Sequence, residues 1–148
     1  MIVSLDELLR QGRLECRATS RKEIQDLLKL ASRNLSDAAV PGVSPDGRFN
    51  LAYEAALILA TIPLRCMGYR TKGEAHHSAV IEALPFVMGS EMEEVADYFQ
   101  ACRRKRNKSS YFVPEMASEG EVGEPMAESG EFGEIVRRWI RDNYPKYC

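Results

Sequence analysis

Cysteine, histidine and tryptophan are scarce in this 148-residue chain, which holds four, two and one of them. Cys16, Cys66, Cys102 and Cys148 are widely scattered, without a C-x-x-C pair or metal-ligand spacing to His76 or His77. This pattern argues against a zinc site or a disulfide framework and reads as reduced thiols in a cytosolic protein. No metal and no cofactor is expected. Long apolar runs are also missing. The opening MIVSLDELLR is too polar for the core of a signal peptide, and the most apolar stretch, Leu51 to Leu64, is interrupted by Tyr53, Glu54 and Thr61. It falls short of the roughly 20 residues that cross a bilayer, so the expectation is a cytoplasmic protein that does not engage a membrane. No segment alternates polar and apolar residues with a period of two, which leaves no strand to predict. There is no internal repeat, no G-x-S-x-G, no phosphate loop and no dinucleotide fingerprint. A formal charge of −2 removes any net-charge argument for nucleic acid.

What is present is helical periodicity over one domain's length, residues 1–148. Leu5, Leu8 and Leu9 form a short amphipathic turn before Gly12. Ser20 with Glu23 makes a capping-box signature, and Ile24, Leu27, Leu28, Ala31, Leu35 and Ala38 follow at helical spacing, predicting a helix over about residues 20–39. Ser44-Pro45 offers an N-cap with proline at the first helical position, opening a second helix to about Met67, with Pro63 as a kink and Gly68 as the stop. A third region is expected in two pieces, Glu74 to Leu84 and Glu91 to about Lys108, with Pro85 through Ser90 breaking between them. Ser118 with Glu121 opens a last helix that Pro125 and Gly130 make irregular, before Phe132, Ile135, Val136, Trp139 and Ile140 restore the stripe up to Pro145. Four long helices with short connections imply an all-α fold, an antiparallel four-helix up-and-down bundle with short extra helical segments. Phe49, Tyr53, Phe99 and Trp139 read as its core.

Charge is concentrated at one place. Arg103, Arg104, Lys105, Arg106 and Lys108 gather five of the 20 basic residues, whereas Val113 to Glu134 holds seven glutamates and no base. Met92, Val95, Phe99 and Cys102 draw an apolar seam at steps of three and four, and the next step lands on Arg106. Arg103 falls within about 60° of that line, while Arg104, Lys105 and Lys108 point away into water. A guanidinium on such a seam either meets an acceptor at the edge of a cleft or caps the carbonyls at its helix C-terminus. The glutamate run reads as a solvated face, with screening of the basic cluster as the alternative.

In the cluster, Arg106-Asn107 is followed by Lys108, Ser109, Ser110 and then Tyr111. With RFNLAYEAALILA at Arg48–Ala60, GYRTKGEAHH at Gly68–His77 and IEALP at Ile81–Pro85, the chain resembles the HEPN superfamily (higher eukaryotes and prokaryotes nucleotide-binding domains) from about Glu23 to Tyr144. The family's signature is an arginine, usually a polar neighbour, then a histidine four to six positions on. Here Tyr111 holds the histidine's place, as in a bacterial subgroup. The resemblance implies an RNA-directed helical bundle that dimerises so that two motifs face one cleft. Many members are metal-independent endoribonucleases, often toxins with an antitoxin partner. Others bind RNA, a nucleotide or a nucleotidyltransferase partner without cleaving.

Each role then has a candidate. Arg106 holds phosphate oxygens through its fork of donors, and Asn107 positions the phosphate or the 2′-hydroxyl. Tyr111, with an ordinary phenol pKa of about 10, suits hydrogen bonding or stacking better than proton transfer. Arg70, Arg103, Arg104 and His77 are candidate substrate contacts. His76 and His77 supply a base if a dimer mate brings them to the motif; otherwise one packs beside Tyr69 and Arg70 and the other is solvated.

Overall fold

The computed structural model describes residues 4–73, 76–109 and 117–148. Among them are six α-helices, α1 (Leu5–Arg10), α2 (Arg21–Ala38), α3 (Pro45–Cys66), α4 (His76–Met88), α5 (Glu93–Ser109) and α6 (Glu119–Asn143), and two short strands, β1 (Leu14–Cys16) and β2 (Tyr69–Thr71). The all-α class expected from periodicity is what the chain adopts.

The helix starts follow their local chemistry. Ser20 Oγ accepts from Glu23 N at 3.1 Å, and Ser44 Oγ accepts from Gly47 N at 3.1 Å with Pro45 in the first turn. At α6 the Ser118 N–H donates to Glu121 Oε1 at 3.1 Å. The carboxylate of Glu23 does not complete a box. It accepts from Thr19 at 2.8 Å and from Arg70 at 2.5 Å and lies 3.2 Å from Arg65, tying the start of α2 to the end of α3 and to β2.

Helix α3 runs through the middle. Phe49, Ala52, Tyr53, Ala55, Ala56, Leu59, Ala60, Ile62 and Leu64 are all buried, and α2, α4, α5 and α6 pack against it. By length and composition α3 is the one helix among the described residues that reaches a membrane-spanning threshold, but 61% of its apolar window is buried inside the fold. That burial is what a core helix shows. The shorter stretch considered from sequence, Leu51 to Leu64, understates the apolar length.

Three details differ from the sequence reading. Strands β1 and β2 pair antiparallel, with Leu14 opposite Thr71 and Cys16 opposite Tyr69. Three residues are too few to carry a period-two signal, and Gly12 and Gly68, at φ 70° and 89°, turn the chain into each strand. Pro85 does not break α4 but sits inside it, because the apolar packing of Ile81, Ala83 and Leu84 outweighs one missing helix hydrogen bond. The break falls at Gly89, at φ 114° and ψ 160°, followed by a 3-10 turn at Ser90–Met92. Helix α6 is likewise continuous through Pro125 and Gly130. Pro125 is buried, Ser129 Oγ donates to Ala52 O at 2.9 Å, and Gly133 lies against Leu59, so contact with α3 keeps the helix continuous through its weak residues.

The backbone angles at Gly89 belong to a region open to glycine alone among the common residues. Gly89→Ala is expected to destabilise the protein by about 1–3 kcal/mol, read as a lower urea midpoint; an unchanged midpoint would show that the bend tolerates a side chain.

Candidate functional site

The apolar seam of α5 delivers its last member inward. Met92, Phe99 and Cys102 are buried and Val95 is half-buried. One turn further, the Arg106 side chain retains only 27% of its exposure, with its guanidinium 3.9 Å from Glu54 Oε1 and 5.8 Å from the centroid of the Tyr53 ring. Both partners come from α3. Arg103 is half-buried beside it, and its Nε donates to Gln100 Oε1 at 2.8 Å. The other end of Gln100 donates to Ser78 O at 3.1 Å, which fastens α5 to the first turn of α4.

That fastening brings in His77, the residue before Ser78. The His77 ring is half-buried, and its pKa is lowered first by burial and then by the positive charge of His76, Arg106 and Arg103. It is held as the neutral imidazole near pH 7. His76 is exposed, edge-on to His77 at 4.2 Å between centroids, with Nδ1 3.2 Å from Gly73 O. The charges that act on His77 include those of Arg106 and Arg103 in its own chain.

Tyr53 is 1% exposed, and its hydroxyl makes no hydrogen bond among the described residues. Burial pushes its pKa up to about 12, against the opposing pull of Arg106 and Arg103, so it remains a neutral donor. The Cys102 thiol is also raised by burial and stays protonated, which removes it as a nucleophile.

The other residues singled out from sequence go elsewhere. Arg104 and Asn107 are exposed on α5. Arg70 is half-buried on β2 and engaged by Glu23, in company with Arg65. Tyr111 lies outside the described residues, as does the side chain of Lys108. Lys105, expected in water, instead lies over the Phe49 ring at 5.4 Å and pairs with Glu121. Its long apolar stem covers the aromatic ring while its ammonium reaches the first turn of α6. Part of the glutamate run therefore does meet cations, Glu121 at Lys105 and Glu119 at Arg48, while Glu124, Glu131 and Glu134 are exposed.

Arg106 is thus brought to Glu54 and Tyr53, and Arg103 to Gln100, whose other end holds the turn of α4 that carries His77. Gln100 stands three residues before Arg103, a spacing that could have flagged it. Glu54 and Tyr53 reach Arg106 across helices, and no local pattern marks that. The α4–α5 groove beside this cluster, about 530 Å³, is lined by Glu82, Glu93 and Asp97 and is unsuited to an anion. The positive charge of this cluster comes from the end of α5, where the guanidiniums of Arg103 and Arg106 can grip phosphate oxygens. Among the described residues no three His, Cys, Asp or Glu side chains converge as a metal-ligand set.

In comparisons with known proteins the chain matches no family model, and no curated protein or solved structure shows significant similarity to it.

Tyr53→Phe removes a buried hydroxyl that makes no hydrogen bond among the described residues. It is expected to leave stability unchanged or raise it by up to about 1 kcal/mol, measured by urea unfolding; a clear loss would reveal a partner for that oxygen.

Proposed function

We propose that the protein is an RNA-directed domain of HEPN type, in which α2, α3, the α4–α5 pair and α6 form an antiparallel four-helix bundle, and which cleaves RNA without a metal ion. The observation that carries this is the inward turn of Arg106 onto Tyr53 and Glu54, with Arg103 on the same turn of α5 tied through Gln100 to the turn of α4 that bears His77. Metal-independent cleavage needs positive charge on the phosphorane oxygens and a group to take the 2′-hydroxyl proton. The arginines suit the first need. Glu54, half-exposed and loosely paired, is a counterion that a phosphate can displace. On this reading the domain works in the cytoplasm as a homodimer, Asn107 and Tyr111 complete the phosphate and base contacts, and an antitoxin is its natural partner.

A noncatalytic module that binds RNA, a nucleotide or a nucleotidyltransferase through the same cleft is the second reading. Tyr111 in the place of the family's histidine is what favours it.

Incubation of purified protein with RNA in excess chelator, beside Arg106→Ala, decides between them. Cleavage that is lost with the arginine supports the enzyme, and intact RNA with tight binding supports the module. In either case Arg106→Ala is expected to weaken RNA binding about tenfold or more and to flatten the slope of log affinity against log salt by about one. Salt-independent or absent binding by the unaltered protein removes both readings.

A further inference from the structure

We propose that the cleft between the start of α2 and the end of α6 is a second phosphate-binding site, by which the protein holds the backbone of single-stranded RNA apart from the end of α5. The proposal rests on the RNA-directed reading above, in its cleaving or its binding form, and adds a separate place of contact to it.

Two helices running in opposite directions build the cleft, since Ser32 of α2 meets Arg137 of α6 while Gln25 and Arg21 meet Tyr147 and Cys148 beyond it. Gln25 and Leu28 line it from one side, Arg137, Ile140 and Arg141 from the other, and Cys148 closes one end, around a volume of about 170 Å³. Leu28 and Ile140 are buried and make an apolar floor. Among the described residues no aspartate or glutamate lines it. A pocket that encloses a small molecule has roughly 300–1,000 Å³, so this one seats a single phosphate and leaves the rest of the ligand in solvent.

The guanidiniums are held in place. Arg137 Nη2 donates to Ser32 Oγ at 3.1 Å, Arg21 Nε donates to the main-chain oxygen of Cys148, and Gln25 Nε2 donates to Tyr147 O at 2.7 Å. Tyr147 in turn stacks on Tyr144, 6.0 Å between centroids, which fixes the 3-10 turn Pro145–Tyr147 behind the cleft. One such bond leaves most of a guanidinium's fork of donors for an anion.

Charge is segregated here in a way the fold itself does not require. Of the seven cations on α2 and α6, only Lys22 forms an ion pair with an aspartate or glutamate among the described residues, to Asp26 at 2.7 Å. Glu134 and Asp142 are exposed on α6 and pair with none of the others. The helix dipole accounts for Arg141, which stands in the last turn of α6. It does not account for Arg137 one turn earlier, and it opposes Arg21, the first residue of α2, where a helix start favours acids. Clustered like charges repel, and an anion in the cleft relieves the repulsion.

RNA suits this face better than a lipid surface does. The exposed large hydrophobic residues are Val40, Met67 and Phe86, and none belongs to α2 or α6, so the face has no apolar anchor for a bilayer. Arg137 and Arg141 are about 6 Å apart along the helix axis, and with Arg21 across the cleft they form a positive groove that tracks a phosphate backbone whatever its sequence.

The test is binding of a labelled single-stranded 2′-O-methyl RNA, which cannot be cut through its 2′-oxygen, over a salt series. The proteins compared are the full chain, Arg141→Gln, the double variant Arg137→Gln with Arg141→Gln, and each of these combined with Arg106→Ala, with urea midpoints as the control for folding. Support is a double variant that binds about tenfold or more weakly and whose slope of log affinity against log salt is flatter by about 0.7–1.4. That loss multiplies with the loss from Arg106→Ala, because the two sites share no partner; a loss that does not deepen in the combination overturns the claim of a separate site. Should the double variant not fold, Arg141→Gln decides, since Arg141 is exposed and makes no hydrogen bond among the described residues: unchanged affinity and slope overturn the proposal. Unchanged RNA binding by these variants while Arg106→Ala is still weakened overturns it and leaves the RNA-directed reading intact. Unchanged RNA binding with lost binding to phosphatidylserine vesicles gives the face to a lipid surface and also overturns it. Absent RNA binding by the unaltered protein removes both.

Discussion

Helix α3 buries a wide apolar arc, and that constrains everything else. Eleven of its 22 residues are buried, over more than half of its circumference, so no single neighbour can cover it, while Asn50, Glu54, Thr61 and Arg65 line the remaining, half-buried side. Helices α2, α4, α5 and α6 enclose it together. Each large aliphatic or aromatic side chain buried there contributes about 1.5–3 kcal/mol, and Ala52, Ala55, Ala56 and Ala60 let the surrounding backbones come close. Between Phe49 and Leu64 only Glu54 carries a charge. A carboxylate embedded in such a helix must open onto water or meet a cation, and the turn of α5 that crosses there presents Arg106. The position of the candidate site follows from this charge on the polar side of a largely buried helix.

Helix α5 then sorts its charges by direction. Arg103 and Arg106 turn toward α3 and α4, Lys105 leans across Phe49 to Glu121, and Arg104 faces outward. The acidic first turn of α6 takes up Lys105 on one side, and Glu54 lies 3.9 Å from Arg106 on the other. In a chain of formal charge −2, Arg103, Arg104 and Arg106 gather positive charge on one local face. Gln100 keeps that face in register with the start of α4, since its amide bonds in both directions at once.

Much of this was legible from sequence because the signals are local. The caps at Ser20, Ser44 and Ser118 and the stripes of α2 and α3 need only their own few residues to be read, and the angular position of Arg106 follows from counting along one helix. The misreadings share a cause. Pro85 and Pro125 look like breakers until the packing of their neighbours is known, and the true break at Gly89 is conspicuous only through its backbone angles. The pairing of Leu14–Cys16 with Tyr69–Thr71 spans more than fifty residues and leaves no periodic trace in either strand. Arg70 looked free for a ligand because its carboxylate partner, Glu23, stands 47 residues earlier. The tie through Gln100 between the first turn of α4 and Arg103 is of the same kind, a product of how α4 and α5 close on each other rather than of any motif.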